Sequence, residues 1–243
     1  MRYVIDGADC CGKTTALKLA AAQLALPALH SVRHEGWTNK IWQTVCDDGA
    51  AHADLTTQLL LSAALQRNCF RVAPRSCLID RGVVSMTALQ FSVQLPIAMA
   101  FKGAVETYMQ YVTTEPYILI LPHASLATCQ ARRQARGDAA DVFEQNMPAL
   151  HDRYAQLRAW LPANCSAMRL PYLDESDFGT NVGYPIISDD GDLLMTIVLP
   201  AVSIFEGAAD NAAAYLVDFI SRAERYYHRA TEIEKPAALD VLG

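Results

Sequence analysis

Apolar residues fill positions 3–5 and give way to an aspartate and a glycine, so the pattern predicts a short buried strand over residues 2–6 and a loop over 7–12. An Ala/Leu-rich stretch predicts a helix over 13–25, closed by Pro27. ALHSVR reads as a second short strand ending near Arg33, and helical spacing recurs over 38–47 and 53–72. Cys77-Leu78-Ile79, ending at Asp80, is continuously apolar, as expected of a parallel strand covered on both faces. Residues 84–94 and 98–112 have helical spacing, Tyr117–Leu121 is a fully apolar strand, and Ser125 is placed to cap a helix running to about Arg136. A helix over 141–160 and a candidate fifth strand at Ala167–Leu170 follow. Strands alternating with helices predict an α/β fold, a doubly wound parallel sheet of about five strands with helices on both faces.

The alternation breaks at 172–206. Tyr184–Ser188 and Leu193–Leu199 flank Asp189-Asp190-Gly191-Asp192, a hairpin signal, and a last helix is expected over 209–229 before a tail containing Pro236. The chain reads as a single domain, 1–243, with an elaboration over 172–206. It shows no internal repeat and no low-complexity linker.

Composition narrows the function. At 243 residues and 52% hydrophobic, the chain can fill one sizeable core. A net charge of -6 argues against a protein that coats nucleic acid, although it leaves room for a local basic cleft. No run of 18 apolar residues exists, so no membrane span and no membrane partner are expected. No basic segment followed by an apolar one precedes the first strand, so a cytoplasmic location is expected. Seven scattered cysteines without C-x-x-C spacing suit reduced thiols. Cys10 and Cys11 are adjacent. A vicinal disulfide would be strained, and no further Cys or His lies nearby in sequence to complete a zinc site.

The chemistry begins at Gly7-Ala8-Asp9-Cys10-Cys11-Gly12-Lys13-Thr14, which matches G-x-x-x-x-G-K-[ST] between a strand and a helix. Gly7 and Gly12 allow a turn whose backbone N–H groups converge on phosphate, and the helix N-terminus adds positive potential. Lys13 would bridge β- and γ-phosphates and Thr14 would hold Mg²⁺. On this reading the Cys10 and Cys11 side chains are incidental. Asp80-Arg81 ends a buried strand, where open α/β sheets bind ligands. Asp80 suits Mg²⁺ or its water and Arg81 an anionic acceptor, the plain alternative being a strand-end ion pair. Arg132, Arg133 and Arg136 precede Gly137 and form either a lid that closes on transferring phosphate or a solvated basic face.

Taken together, residues 2 to about 170 resemble the thymidylate kinase family of P-loop nucleoside monophosphate kinases. IDGADCCGKTT, RHEGW, DRGVVSMTALQ and RRQARGDAADVFE resemble, in order, its phosphate loop, acceptor loop, Asp-Arg segment and lid. The resemblance implies a P-loop NTPase fold, ATP and Mg²⁺ as cofactors, and phosphoryl transfer to a deoxynucleoside monophosphate, dTMP first. It implies an ATP-binding set of Gly7, Cys10, Cys11, Gly12, Lys13, Thr14, Thr15 and Arg133, with Thr14 and Asp80 on the metal. Asp9, Arg33, Glu35, Arg67, Arg81, Ser85 and Gln90 would serve the acceptor. Lys13, Asp80, Arg81, Arg132 and Arg136 would carry catalysis, with 132–144 as the lid. Nucleotide substrates and a second copy of the chain, as a homodimer, are the expected partners.

The departures fall in the base-reading half. Leu61 and Leu65 stand where the family stacks on and hydrogen-bonds thymine. Gly82 replaces a tyrosine, Pro122 replaces an aspartate, and Cys10 replaces the arginine that some members carry. Other acceptors therefore stay open: a deoxynucleoside, a modified pyrimidine deoxynucleotide, or hydroxymethyluracil within DNA. A non-catalytic P-loop regulatory module is the alternative of a different class. Thr38-Asn39-Lys40 continues as Ile41-Trp42 without the aspartate of a guanine motif, and intact Lys13, Thr14 and Asp80 argue for catalysis.

Overall fold

The computed structural model describes residues 1–33, 35–44, 55–89, 95–111, 115–137, 146–172 and 182–233. The elements relevant to the site are β1 (Arg2–Ile5), α1 (Lys13–Leu24), β2 (Ala28–His30), α2 (Gly36–Trp42), α3 (Leu55–Val72), β3 (Cys77–Asp80), α4 (Val83–Leu89), α5 (Ile97–Tyr111), β4 (Tyr117–Ile120), α6 (Leu126–Arg136) and α7 (Met147–Asn164). They continue with β5 (Met168–Arg169), β6 (Val182–Ile187), β7 (Leu193–Val198), α8 (Val202–Glu206) and α9 (Ala209–Ile233).

Among the described residues the strands form one sheet in the order β2-β3-β1-β4-β7-β6-β5. The first five of these run parallel, and β6 and β5 add an antiparallel edge. Alternate side chains of each strand enter opposite cores. Val4, Ile79 and Leu119 join α3, α5 and α7 on one face. Tyr3, Ile5, Leu78, Ile118 and Ile120 join α1, α6 and α9 on the other. The result is a three-layer α/β/α fold, as the alternation of elements predicts.

One strand assignment changes. Ala167–Leu170 supplies only the two-residue β5, at the antiparallel edge. The fifth parallel strand is β7, which pairs with β4 in register Tyr117↔Met195 to Ile120↔Val198. Its sequence, LLMTIV, is apolar almost throughout and buried from its second residue on, as a strand covered on both faces requires. The hairpin at 182–198 forms as expected, and it is built into the sheet. Residues 90–94, 138–145 and 173–181, which include Gln90 and much of the expected lid, lie outside the described residues.

Strand β1 is flanked by β3 and β4. The connection from β1 runs to β2 on one side of it and that from β3 runs to β4 on the other, which opens a crevice beyond the C-terminal end of β1. The loop 6–12, Asp80 and Leu121 all meet there.

Candidate active site

Three local features shape the loop between β1 and α1. Cys10 (φ 59°) and Gly12 (φ 94°) both occupy the left-handed region, so the chain reverses sharply before α1. Gly7 suits its place for another reason, since a Cβ there would lie 3.1 Å from both Pro122 Cγ and its carbonyl oxygen and would crowd them. Helix α1 starts with Gly12 as N-cap and no side-chain cap, so no side chain of its own covers its first N–H groups.

The two cysteines differ. Cys10 is half-buried at the cavity wall. Cys11 is fully buried in the core formed with Ala16 and Cys129, where burial pushes its thiol pKa up. Cys11 is therefore a core residue, and Cys10 packs against the edge of the same core. Cys10→Ser is expected to change stability by less than about 0.5 kcal/mol. Cys11→Ser buries a hydroxyl and costs about 1–3 kcal/mol. Urea unfolding of both variants checks this, and equal losses would refute the distinction.

A chain of charges lies behind the loop. Lys13 is 4% exposed; its Nζ is 3.4 Å from the Ala8 carbonyl and 3.6 Å from Asp9 Oδ1. Asp9 also forms an ion pair with Arg81. Burial alone would raise the Asp9 pKa, but Arg81 and Lys13 overcome it and hold the carboxyl at about 2. Thr14 Oγ1 donates to Asp80 Oδ2, while Asp80 Oδ1 is buried and accepts no hydrogen bond. A hydroxyl beside a carboxylate oxygen with no hydrogen-bond partner is a hard-oxygen pair that fits Mg²⁺.

A cavity of about 600 Å³ opens over this chain, within the range of small-ligand sites. One wall comes from Asp9–Thr15, Arg132, Arg136, Phe205 and the turn Gly207–Ala209. Arg132, expected to act from a lid, is anchored to backbone at this wall. Its guanidinium donates to the carbonyls of Cys11 (3.0 Å), Phe205 (2.8 Å) and Gly207 (2.7 Å). These bonds tie the phosphate loop to the α8–α9 turn, so Arg132 is held as a clamp. Arg136, at the exposed end of α6, keeps its Nη1 3.8 Å from Cys10 Sγ. Arg133 is half-buried and is not part of the wall.

The opposite wall contains Arg33, Arg81 and Ser85, as expected, together with residues the sequence did not single out: His30, Trp42, Ser62, Gln66 and Tyr154. Arg67 is exposed and does not line the cavity; its neighbour Gln66 does, fully buried. One residue along a helix is a rotation of about 100°, enough to change faces. Gln66 Nε2 donates to Ser62 Oγ (3.1 Å) and the Gly82 carbonyl (3.4 Å), and its Oε1 is buried without a partner. Glu35 is exposed at the N-cap of α2, where it accepts from Trp37 Nε1, and it lies outside the wall.

His30 Nδ1 accepts the Val32 N–H at 3.4 Å. Burial lowers the His30 pKa to about 3, with Arg81, Arg33 and Lys13 assisting and Asp80 opposing. Below pH 6.5 the unfolded chain therefore takes up a proton that the folded chain refuses, and stability falls as pH drops from 6.5 toward 3. His30→Asn, which keeps an acceptor for Val32, is expected to lose about 2 kcal/mol less than the parent between pH 7.5 and 5. His123, lowered to about 4 mainly by burial, adds a loss of the same sign to both proteins. Denaturant unfolding at the two pH values checks the difference.

No family model matches the chain, and no curated protein matches it significantly in sequence. Solved structures do match. Deoxyadenosine kinase from M. mycoides, with the product dCMP and a flexible dCDP bound, aligns at TM-score 0.53 and 10% identity, covering 93% of this chain and 100% of that one. The same enzyme with bound dATP gives TM-score 0.51 at 11% identity, covering 91% and 100%. The chain shares the α/β fold of this kinase. Thymidylate kinase from Ehrlichia chaffeensis covers 68% of this chain and 90% of its own at 14% identity, and its TM-score of 0.47 is too low to carry an argument. Within this fold, no helix among the described residues is long and apolar enough to cross a membrane.

Proposed function

We propose that the protein is a nucleotide kinase that transfers the γ-phosphoryl group of ATP to a deoxynucleoside monophosphate. The observation that carries this reading is the sequence Lys13-Thr14 at the end of a phosphate loop, with the Asp80 carboxylate against Thr14, beside a cavity also walled by Arg33 and Arg81. Backbone N–H groups of the loop and Lys13 hold the β- and γ-phosphates. Thr14 and Asp80 would hold Mg²⁺, which supplies charge neutralisation on the transferring group. Arg136 reaches the same region from α6. Arg33 and Arg81 place two positive charges at the acceptor wall, which suits an acceptor that already bears a phosphate. Transfer then depends on holding the two reactants in line.

The base falls to Gln66. Its unpartnered Oε1 accepts from a donor on the base edge, such as N3–H of thymine or an exocyclic amino group. dTMP heads the acceptor series, and a cytosine or adenine deoxynucleotide meets the same requirement. A deoxynucleoside acceptor is the second reading, favoured by the likeness to deoxyadenosine kinase over 93% of this chain.

ADP formation with dTMP, dCMP, dAMP, their nucleosides, 5-hydroxymethyl-dUMP and hydroxymethyluracil-containing DNA decides among these. The dominant substrate should be a monophosphate. Gln66→Ala should lower its kcat/KM by about 10- to 100-fold, and Arg67→Ala by less than about threefold. No ADP with any acceptor would refute the kinase reading, and a nucleoside as best substrate would replace the first reading by the second.

A further inference from the structure

Asp6 follows β1, directly before Gly7 of the phosphate loop, and is 0% exposed. A buried carboxylate is stable only when hydrogen bonds replace its water. Its partners come from the β3–α4 junction and from α7. Oδ2 accepts the backbone N–H of Gly82 and of Ser85, both at 2.8 Å. Oδ1 accepts Ser85 Oγ at 2.7 Å and Tyr154 OH at 3.3 Å. Helix α4 begins at Val83, after a glycine that has no side chain to cap it. Asp6 supplies from another strand the acceptor that an N-cap side chain supplies locally.

Arg81 lies inside this clasp. Its φ is 74°, a conformation disfavoured for a residue with a Cβ and one that surrounding contacts must impose. Its N–H bonds the Ile5 carbonyl at 2.9 Å on one side, and Gly82 is fastened to Asp6 on the other. The approach is so close that a Cβ on Gly82 would lie 2.8 Å from Val4 Cγ1, so any larger residue there would have to displace Val4. The side chain is fixed through the same carboxylate. Asp6 can only accept, so Ser85 Oγ must donate to it, and the serine lone pairs then face Arg81 Nη1 at 3.4 Å. The other arm of Arg81 is paired with Asp9.

We infer that Asp6 is a positioning residue, whose clasp on Gly82 and Ser85 holds Arg81 in its left-handed backbone conformation and aims the guanidinium into the acceptor side of the cavity. This rests on the reading of Arg81 as an acceptor-binding residue. Asp6 itself does not line the cavity, so its effect passes through Arg81.

Asp6→Asn is nearly isosteric but reverses one polarity. Its amide NH₂ donates to Ser85 Oγ, and the serine proton then turns toward Arg81. Expected are a thermal midpoint and an ATP dissociation constant close to those of the parent, and a fall of about 10- to 100-fold in kcat/KM for the acceptor. In an Arg81→Ala background the same change should cost less than about threefold, because residues acting as one unit are not additive. Equal costs in both backgrounds would overturn the inference. Ser85→Ala, which leaves the Asp6–Gly82 bond in place, serves if Asp6→Asn does not fold. It should raise the acceptor KM in the parent and have little effect without Arg81, and an equal effect in both would likewise count against the proposal. A crystal structure of whichever variant folds gives a readout independent of activity. In Asp6→Asn and in Ser85→Ala alike, the Arg81 guanidinium should lose its fixed direction at Ser85. An unchanged Arg81 overturns the inference even if nothing is phosphorylated, whereas an inert parent protein overturns only the kinase reading.

Discussion

Lys13→Ala is expected to lower kcat at least a hundredfold while the protein remains folded. The side chain is 4% exposed, and its nearest polar partners are the Ala8 carbonyl and Asp9. Asp9 keeps its ion pair with Arg81 when Lys13 is removed, so no buried charge is stranded. The loss therefore appears in transfer. A preorganised donor aimed at developing charge contributes about 3 kcal/mol, a factor of 10²–10³ in rate. Single-turnover ADP formation by a variant with a parental melting curve is the measurement. Near-parental turnover would refute the assignment of the loop.

Asp80→Asn is expected to weaken Mg²⁺ dependence and rate together. Asp80 Oδ2 is occupied by Thr14 Oγ1, whereas Oδ1 is buried and accepts nothing. The amide keeps the shape but loses the charge, and it offers a donor where a metal or its water needs an acceptor. The Mg²⁺ concentration for half-maximal ADP formation should rise about 10- to 100-fold, as it does when groups that support metal ligands are removed. ATP binding without Mg²⁺, measured by calorimetry, should change little. An unaltered Mg²⁺ profile would place the metal elsewhere.

The parts of the molecule that could be read from sequence are those whose evidence is local. The phosphate loop occupies eight consecutive residues, and β1, β3 and β4 are apolar runs that leave no alternative to a buried strand. β7 carries an equally apolar run, but the turn at Asp189–Asp192 suggested a separate hairpin, and nothing local indicated that Leu193–Val198 would pair with β4. The wall that holds Arg33 and Arg81 was harder to read because its members come from β2, α2, α3, α4 and α7 and from the loops after β2 and β3. Ser62 and Gln66 do carry a signal: they are polar residues four apart on the same stripe of α3 as Ala63, Cys69 and Phe70. That stripe puts Arg67 outward. The function of Arg132 was not legible, since two of its three short bonds go to carbonyls 73 and 75 residues away.

The seating of β7 beside β4 also sets the order in which the chain can assemble. About seventy residues separate the two strands, so at a synthesis rate of roughly 5–20 residues per second β4 waits several seconds for its neighbour. Until then the nascent chain presents an apolar strand with one unpaired edge, the template on which chains aggregate. The phosphate loop is complete in sequence almost at once, but its clamp, Arg132, finds its carbonyls only when residues 205–207 have emerged.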